Sequence, residues 1–218
     1  MTRKSIKSFE RWTFEDVENT FGLVRVKEPE ILTEWLNVSK TTLSDHHQFE
    51  LKQLRQELQS LVDIWNEEEL KVFFIGPFLR LINYNHDHYR PFMERKLQGK
   101  IAEVLVGGKV DFMLASGKVK PKQPYFCLHE YKPSRRQAND PLGQLLIAIL
   151  CSRTKNQNSE QPFYGVYVEG RLWYFVTVHA QEYAVSEPYT ATKDEDLLTI
   201  FFVLQKLKVL IEPYLGNQ

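Results

Sequence analysis

The spacing of apolar residues changes period near Gly99 of this 218-residue chain. Before that point, apolar side chains recur every three or four positions, as they do on one face of an amphipathic helix. After it, runs rich in Val, Phe and Tyr are typical of strands. The predicted order is a set of helices, three strands, a helix, two or three strands and a closing helix. A mixed central β-sheet flanked by helices accommodates this order, so we expect an α/β protein.

Four helices are predicted in the first part of the chain: a short one from Thr13, and others over residues 29–36, 44–65 and 66–82. Ser44 or Asp45 is a natural cap for the third of these helices. Pro77 should kink the fourth helix or mark a boundary within it, because proline lacks an amide hydrogen. We expect residues 1–65 to be a helical extension and residues 66–218 to be the core, with both parts in one unit.

Short strands dominate the rest of the chain. They are predicted over residues 101–106, 110–114, 125–131, 163–168 and 172–178, with a further strand near 183–185. Gly107-Gly108 is expected to form a tight hairpin turn, and Glu169-Gly170 a second turn. A buried helix is predicted over residues 141–151, and an amphipathic helix over residues 194–211.

Composition and cysteine usage favour a cytoplasmic protein without a membrane partner. No apolar run approaches the roughly 18–20 residues that cross a bilayer, and the basic N-terminus lacks the apolar stretch of a signal peptide. Cys127 and Cys151 form no CxxC pair, which fits a reducing compartment. Lys and Arg together number 28, as do Asp and Glu, which argues against a protein whose whole surface binds DNA.

Positive charge is concentrated between residues 118 and 136. The segment contains a single acid, Glu130, which lies between apolar neighbours on a predicted strand. A solvated loop is the simpler interpretation of such a run of charge. The residues that would instead hold nucleic-acid phosphates near a site are Lys118, Lys120, Lys122, Arg135 and Arg136.

Two predicted strands are each centred on an acid. Asp111 is flanked by Val110 and Phe112, and Glu130 lies two residues before Lys132. Alternate residues share a face of a strand, so Glu130 and Lys132 should point the same way. Carboxylates among apolar neighbours are costly to bury unless they are paired or bound to a metal. Two such acids on adjacent strands could hold a divalent cation, and the lysine could position an attacking water.

The spacing of these residues resembles that of a known family. Asp111, eighteen further residues and then Glu130-Tyr131-Lys132 look like the D-(x)n-(D/E)-x-K signature of the PD-(D/E)xK nuclease superfamily. Val110 stands where that family usually has proline. The resemblance extends over about residues 66–178 and is to a bacterial branch of the superfamily. It implies a restriction-endonuclease-like core within the predicted α/β fold.

The resemblance also implies a metal-dependent nuclease. The implied catalytic residues are Asp111, Glu130, Lys132 and Gln144. The implied residues of an Mg²⁺ or Mn²⁺ site are Glu67, Asp111, Glu130 and Tyr131, the last through its carbonyl. Lys132 would orient or activate water. The implied partner is a nucleic acid, DNA in preference to RNA, and its phosphodiester bonds would be hydrolysed.

Helical geometry singles out Glu67 among three consecutive glutamates. It lies three positions before Leu70, at the edge of the apolar stripe of the helix. Glu68 falls on the opposite side, and Glu69 can complete a capping box with Asn66. The family alignment also selects Glu67. An acid that simply favours the helix dipole would explain its position equally well.

Gln144 lies in the predicted buried helix over residues 141–151. In the family, a glutamine of the helix after the E-x-K strand often lines the site. A core amide bonded to backbone is the simpler interpretation of a buried glutamine. We expect Gly143, beside it, to allow a close approach of the helix to the strand.

The other assignments also have structural alternatives. Asp111 could be an edge-strand acid paired with Lys109, and Glu130 with Lys132 could be an ion pair at an exposed strand end. The whole chain could be a catalytically silent module that keeps the scaffold to bind nucleic acid or a protein partner, because fold alone does not define function. The N-terminal helices could also form the surface of a homodimer.

Overall fold

The helices form where the sequence supplies an apolar face together with a capping residue. The computed structural model describes residues 6–27, 29–134, 139–156 and 160–215. Within these residues the α-helices are α1 (Phe14–Phe21), α2 (Glu30–Leu36), α3 (Asp45–Leu61), α4 (Glu67–Leu70), α5 (Gly76–Ile82), α6 (Pro141–Arg153) and α7 (Asp194–Ile211). Thr13, Ser44 and Asn66 cap α1, α3 and α4, each accepting a hydrogen bond from the amide three residues further on. The predicted helices are therefore confirmed, although α3 ends earlier than expected.

The helix predicted over residues 66–82 is divided by a π-helical segment, Lys71–Ile75. The amide of Gly76 donates to the carbonyl of Lys71, five residues back. Pro77 lies in the first turn of α5, where its missing amide hydrogen is tolerated. The boundary expected at this proline is confirmed. Wide turns of this kind are frequent at functional sites, and Lys71 begins this one.

One mixed sheet of nine strands runs through the described residues. The strands are β1 (Lys7–Ser8), β2 (Val24–Arg25), β3 (Arg90–Ile101), β4 (Val104–Ser116), β5 (Lys122–Lys132), β6 (Phe163–Glu169), β7 (Leu172–His179), β8 (Glu182–Val185) and β9 (Tyr189–Thr190). The order is β1-β4-β5-β6-β7-β8-β2, with β3 also beside β4 and β9 also beside β7. β5 and β6 are parallel, as are β1 with β4 and β2 with β8, whereas the other pairs are antiparallel.

Helices cover both faces of this sheet, which confirms the predicted α/β class. One core contains Trp35 of α2, Phe78 of α5 and Leu204 of α7. The other contains Val17 of α1 and Leu145 of α6. The first 65 residues contribute to both cores and supply the short strands β1 and β2, which were not predicted. The proposed boundary near residue 65 stays a prediction.

The hairpin turn predicted at Gly107-Gly108 is wrong. β4 runs through both glycines, and the turn from β3 to β4 is made by Ala102 and Glu103. β3 has no counterpart among the predicted strands. A β-carbon on Gly108 would lie 2.6 Å from Cδ2 of Phe9, so glycine is required here for close packing and not for a turn.

The start of α6 packs against the start of α1. A β-carbon on Gly143 would lie 2.4 Å from the carbonyl oxygen of Trp12, so this glycine admits the N-terminal segment and not the strand that was expected. Asp140 strengthens the contact. Its Oδ1 accepts from the amide of Gly143 at 3.0 Å, and its Oδ2 accepts from the amide of Phe14 at 2.7 Å. One carboxylate thus holds the two helix starts together.

Candidate active site

The sequence-predicted residues of α4, β4 and β5 lie in one cluster. Phe112 of β4 pairs with His129 of β5. Extending this register by one residue places Asp111 opposite Glu130. Nζ of Lys132 lies 2.7 Å from Oε1 of Glu130 and 3.5 Å from Oε2 of Glu67. The structure therefore brings together three separate parts of the chain.

The backbone of Tyr131 orients Asp111. Its amide donates to Oδ2 of Asp111 at 2.8 Å. Its side chain belongs to the other face, where the hydroxyl lies 2.7 Å from Nδ1 of His129. Glu130 and Lys132 lie on the same face and contact each other, as the alternation along a strand allows. Tyr131 enters the cluster through its amide, and metal binding by its carbonyl stays a prediction.

Lys71 and Glu94 belong to the cluster but were not among the predicted site residues. Nζ of Lys71 lies 2.7 Å from Oε1 of Glu67, 2.9 Å from Oε1 of Glu94 and 2.7 Å from Oδ1 of Asp111. Lys71 follows Glu67 by four residues, the spacing of neighbours on a helix, so the sequence contained a signal for it. Glu94 lies on β3, a strand that was not predicted. The sequence therefore contained no indication that Glu94 would lie in the cluster.

Glu94 adopts an unusual backbone conformation beside Asp111. Its φ of 55° is in the left-handed region, which is uncommon for a residue other than glycine. Its neighbours Met93 and Arg95 pair with Phe112 and Val110 of β4, so Glu94 lies opposite Asp111. It also forms an ion pair with Lys109. Lys109 therefore pairs with Glu94, and the alternative in which it pairs with Asp111 does not describe this structure.

Burial and mutual charge shift the ionisation of the cluster. Burial raises the pKa of Asp111, and the ammonium of Lys71 opposes that shift. Burial, helped by the charge of Asp111, raises the pKa of Glu130 to about 8. For Lys132, burial alone would lower the pKa, but the carboxylates around it, Glu130 first, outweigh burial and the pKa is raised. Each charge in the cluster is therefore set by its neighbours.

The donor set has the chemistry of a site for a hard divalent cation. Glu67, Glu94, Asp111 and Glu130 supply carboxylate oxygens, the ligands that Mg²⁺ and Mn²⁺ prefer. The point where three of them converge is held by the ammonium of Lys71. Within the described part of the chain, no group of three or more His, Cys, Asp or Glu side chains is placed to hold a metal ion. These side chains are of the type that binds Mg²⁺ or Mn²⁺. All of them could coordinate one ion only after the ammonium of Lys71 has moved away.

Gln144 is separate from the contacts that define the cluster. It is 3% exposed on α6. Its Nε2 has no hydrogen-bond partner among the residues that the structure describes. A buried unpaired amide is costly, so the simple alternative of a satisfied core amide is not what the structure shows. Its role in the site stays a prediction.

The predicted phosphate-binding lysines lie far from the carboxylates. Lys118, Lys120 and Lys122 line a shallow cavity of about 530 Å³ together with His88. Lys122 pairs with Ser116, which lies five residues beyond Asp111 on β4, or roughly 17 Å at the usual rise per strand residue. The structure does not bring this lysine group to the cluster. The other two predicted residues, Arg135 and Arg136, lie outside the described residues.

A cleft of about 1080 Å³ is lined by residues of α3, α5, β3 and β4, and none of the charged residues of the cluster is among them. Val72, Met93 and Phe112 line it, and they are the chain neighbours of Lys71, Glu94 and Asp111 respectively. Arg80 of α5 also lines the cleft, as do two histidines of α3. Because adjacent residues of a strand point to opposite faces, Phe112 does not place the cleft on the side of Asp111.

No family model matches the chain, and no curated protein matches it either. Among the described helices, none combines the length and the apolar character that crossing a membrane requires. The case for a function therefore depends on the geometry of the cluster.

Proposed function

We propose that this chain is an Mg²⁺- or Mn²⁺-dependent nuclease with a restriction-endonuclease-like core that hydrolyses phosphodiester bonds, in DNA in preference to RNA. The observation that carries the proposal is the convergence of Asp111, Glu130, Lys132 and Glu67 from three elements. Buried ion pairs stabilise a fold little better than apolar residues of the same volume. Clustered groups with shifted pKa values are instead typical of functional sites.

The roles follow from the position of each group. Asp111 and Glu130 would supply the principal carboxylate oxygens to the ion, with Glu67 assisting. A bound ion would supply positive charge to the phosphate and lower the pKa of a water. Lys132, whose pKa is raised, stays protonated and can hold a water or a phosphate oxygen through its ammonium.

Cleavage assays with Mn²⁺ on labelled single- and double-stranded DNA and RNA test the proposal. Asp111→Asn keeps the shape of the side chain but removes its charge, and cleavage should fall by about 100-fold or more. Lys100→Met is the matched control, because it removes an exposed lysine that pairs with Glu103 and not with a residue of the cluster. Thermal melting should show that both variants are folded. Cleavage by Asp111→Asn at the parent rate would disprove the assignment.

A second candidate is a catalytically silent module that binds nucleic acid or a protein through the same scaffold. The contacts of Lys71 favour it, since they satisfy three of the carboxylates without a metal. A nuclease that binds Mn²⁺ in its folded state must gain thermal stability from the ion. A silent module would show neither this gain nor cleavage, and would still bind its partner.

A further inference from the structure

Lys71 is surrounded as a bound cation would be. Its side chain is 5% exposed, and its ammonium has three hydrogens to donate. Three carboxylates accept them, from Glu67 on α4, Glu94 on β3 and Asp111 on β4. The ammonium therefore joins three elements at one point, and its hydrogen-bonding capacity there is filled.

Lys71 and a metal ion would draw on the same carboxylates. A divalent ion that bound Asp111 together with Glu67 or Glu94 would need oxygens that now accept from Lys71. Two positive groups sharing that point would also repel each other strongly, because burial weakens screening. The ion and the ammonium of Lys71 would therefore compete for these carboxylates.

The structure also offers the lysine a second position. Oε1 of Glu68 lies 3.8 Å from the ammonium, and the side chain of Glu68 is 74% exposed. The lysine side chain is a flexible four-carbon stem with a compact charge. A rotation of the Lys71 side chain towards Glu68 would keep an ion pair and free the three inner carboxylates.

We propose that Lys71 is an internal counter-ion that competes with a divalent metal for Asp111, Glu67 and Glu94. In the metal-free protein it neutralises these acids and holds α4, β3 and β4 together. When the metal binds, the ammonium is displaced towards solvent. The proposal rests on the proposed function for the identity of the ion, and it makes Lys71 a determinant of metal affinity.

Calorimetric titration with Mn²⁺ tests the competition without any assay of activity. Lys71→Met removes the competing charge, so its affinity for Mn²⁺ should be at least about tenfold higher than that of the parent. Lys100→Met should stay within about twofold of the parent, because its ammonium pairs with exposed Glu103, outside the cluster. Binding by Lys71→Met in the absence of any binding by the parent would support the proposal equally. Equal or weaker affinity of folded Lys71→Met would overturn it.

Two further measurements separate the possible failures. If Asp111→Asn abolishes the Mn²⁺ binding of the parent while Lys71→Met leaves the affinity unchanged, the metal site stands and only the competition is wrong. If neither the parent nor Lys71→Met binds Mn²⁺, both proposals fail. If Lys71→Met is unfolded, circular dichroism with added Mn²⁺ decides the question. Folding induced by the ion supports the proposal, because the ion then replaces the ammonium, and failure to fold overturns it.

Discussion

The backbone amide of Tyr131 donates a hydrogen bond to Oδ2 of Asp111 at 2.8 Å, across 20 positions of the chain. The regular pairing of β4 with β5 begins one residue away, at Phe112 and His129. The carboxylate thus takes the place of a strand partner for this amide. Because the amide lies between Glu130 and Lys132 in sequence, the bond also sets the position of Asp111 relative to both.

Replacement of Lys132 by methionine should separate chemistry from metal binding. The ammonium is the group that would hold water or phosphate, so cleavage should fall by about 100-fold to 10,000-fold. Binding of Mn²⁺ should persist, because Asp111 and Glu130 remain. Cleavage kinetics and calorimetry on the same preparation measure the two effects. An unchanged cleavage rate would remove Lys132 from the mechanism.

Glu130 should make the stability of the metal-free protein depend on pH. Its pKa in the folded state is about 8, above the ordinary value of 4.5. The folded state therefore keeps a proton that the unfolded state loses, and this contribution is complete below about pH 4.5 and lost as the pH rises to about 8.

Denaturation in the presence of a chelator measures this dependence. Between about pH 5 and 9 the free energy of unfolding should fall more for the parent than for Glu130→Gln, which cannot ionise. Since the other acids of the cluster are common to both proteins, the difference isolates Glu130. Parallel curves would show that this carboxyl group is not held protonated by the fold.

The lysine group at the start of β5 should affect binding of long nucleic acids and not the chemistry. We expect the triple change of Lys118, Lys120 and Lys122 to alanine to leave cleavage of a short substrate unchanged, because Lys122 lies roughly 17 Å along the sheet from the carboxylates. If all three contact phosphates of a long duplex, the slope of log affinity against log salt should shrink by about 2.7.

Arg80→Ala is the informative comparison for the lysine variant. Arg80 lines a different cleft from the one lined by the lysines, so if nucleic acid binds there its loss should weaken binding of short and long substrates alike. Fluorescence anisotropy at several salt concentrations measures both variants. A loss of short-substrate cleavage in the lysine variant, with none in Arg80→Ala, would show that the nucleic acid approaches from the lysine side.

Gly143→Ala should destabilise the protein although the change is small. The new β-carbon would lie 2.4 Å from the backbone oxygen of Trp12, which cannot rotate away. A cost of about 3 kcal/mol in the free energy of unfolding is expected. Gly107→Ala is the matched control, because its nearest contacts are side-chain atoms of Ile6 and Gln98 at 3.2 Å and 3.3 Å. Chemical denaturation of the two variants should differ clearly, and equal stabilities would contradict the packing of α6 on the N-terminal segment.

Local sequence was enough to predict the features whose causes lie within a few residues. The caps at Thr13, Ser44 and Asn66 act over three positions, and the helices that they begin were placed correctly. The shared direction of Glu130 and Lys132 follows from the alternation of a single strand. Both kinds of signal are present in the chain before it folds.

Distant contacts decided the rest. A glycine at position 108 is equally compatible with a tight turn and with close packing under an aromatic ring. Only its contact with Phe9 distinguishes the two. The four-residue spacing of Glu67 and Lys71 predicts a surface ion pair as readily as a buried one. Whether Lys71 faces solvent or the carboxylate of Asp111, 40 positions away, depends on the packing of its helix against β4. The free energy of a contact between two elements cannot be predicted from the sequence of either one, because the contact forms only when the two pack together.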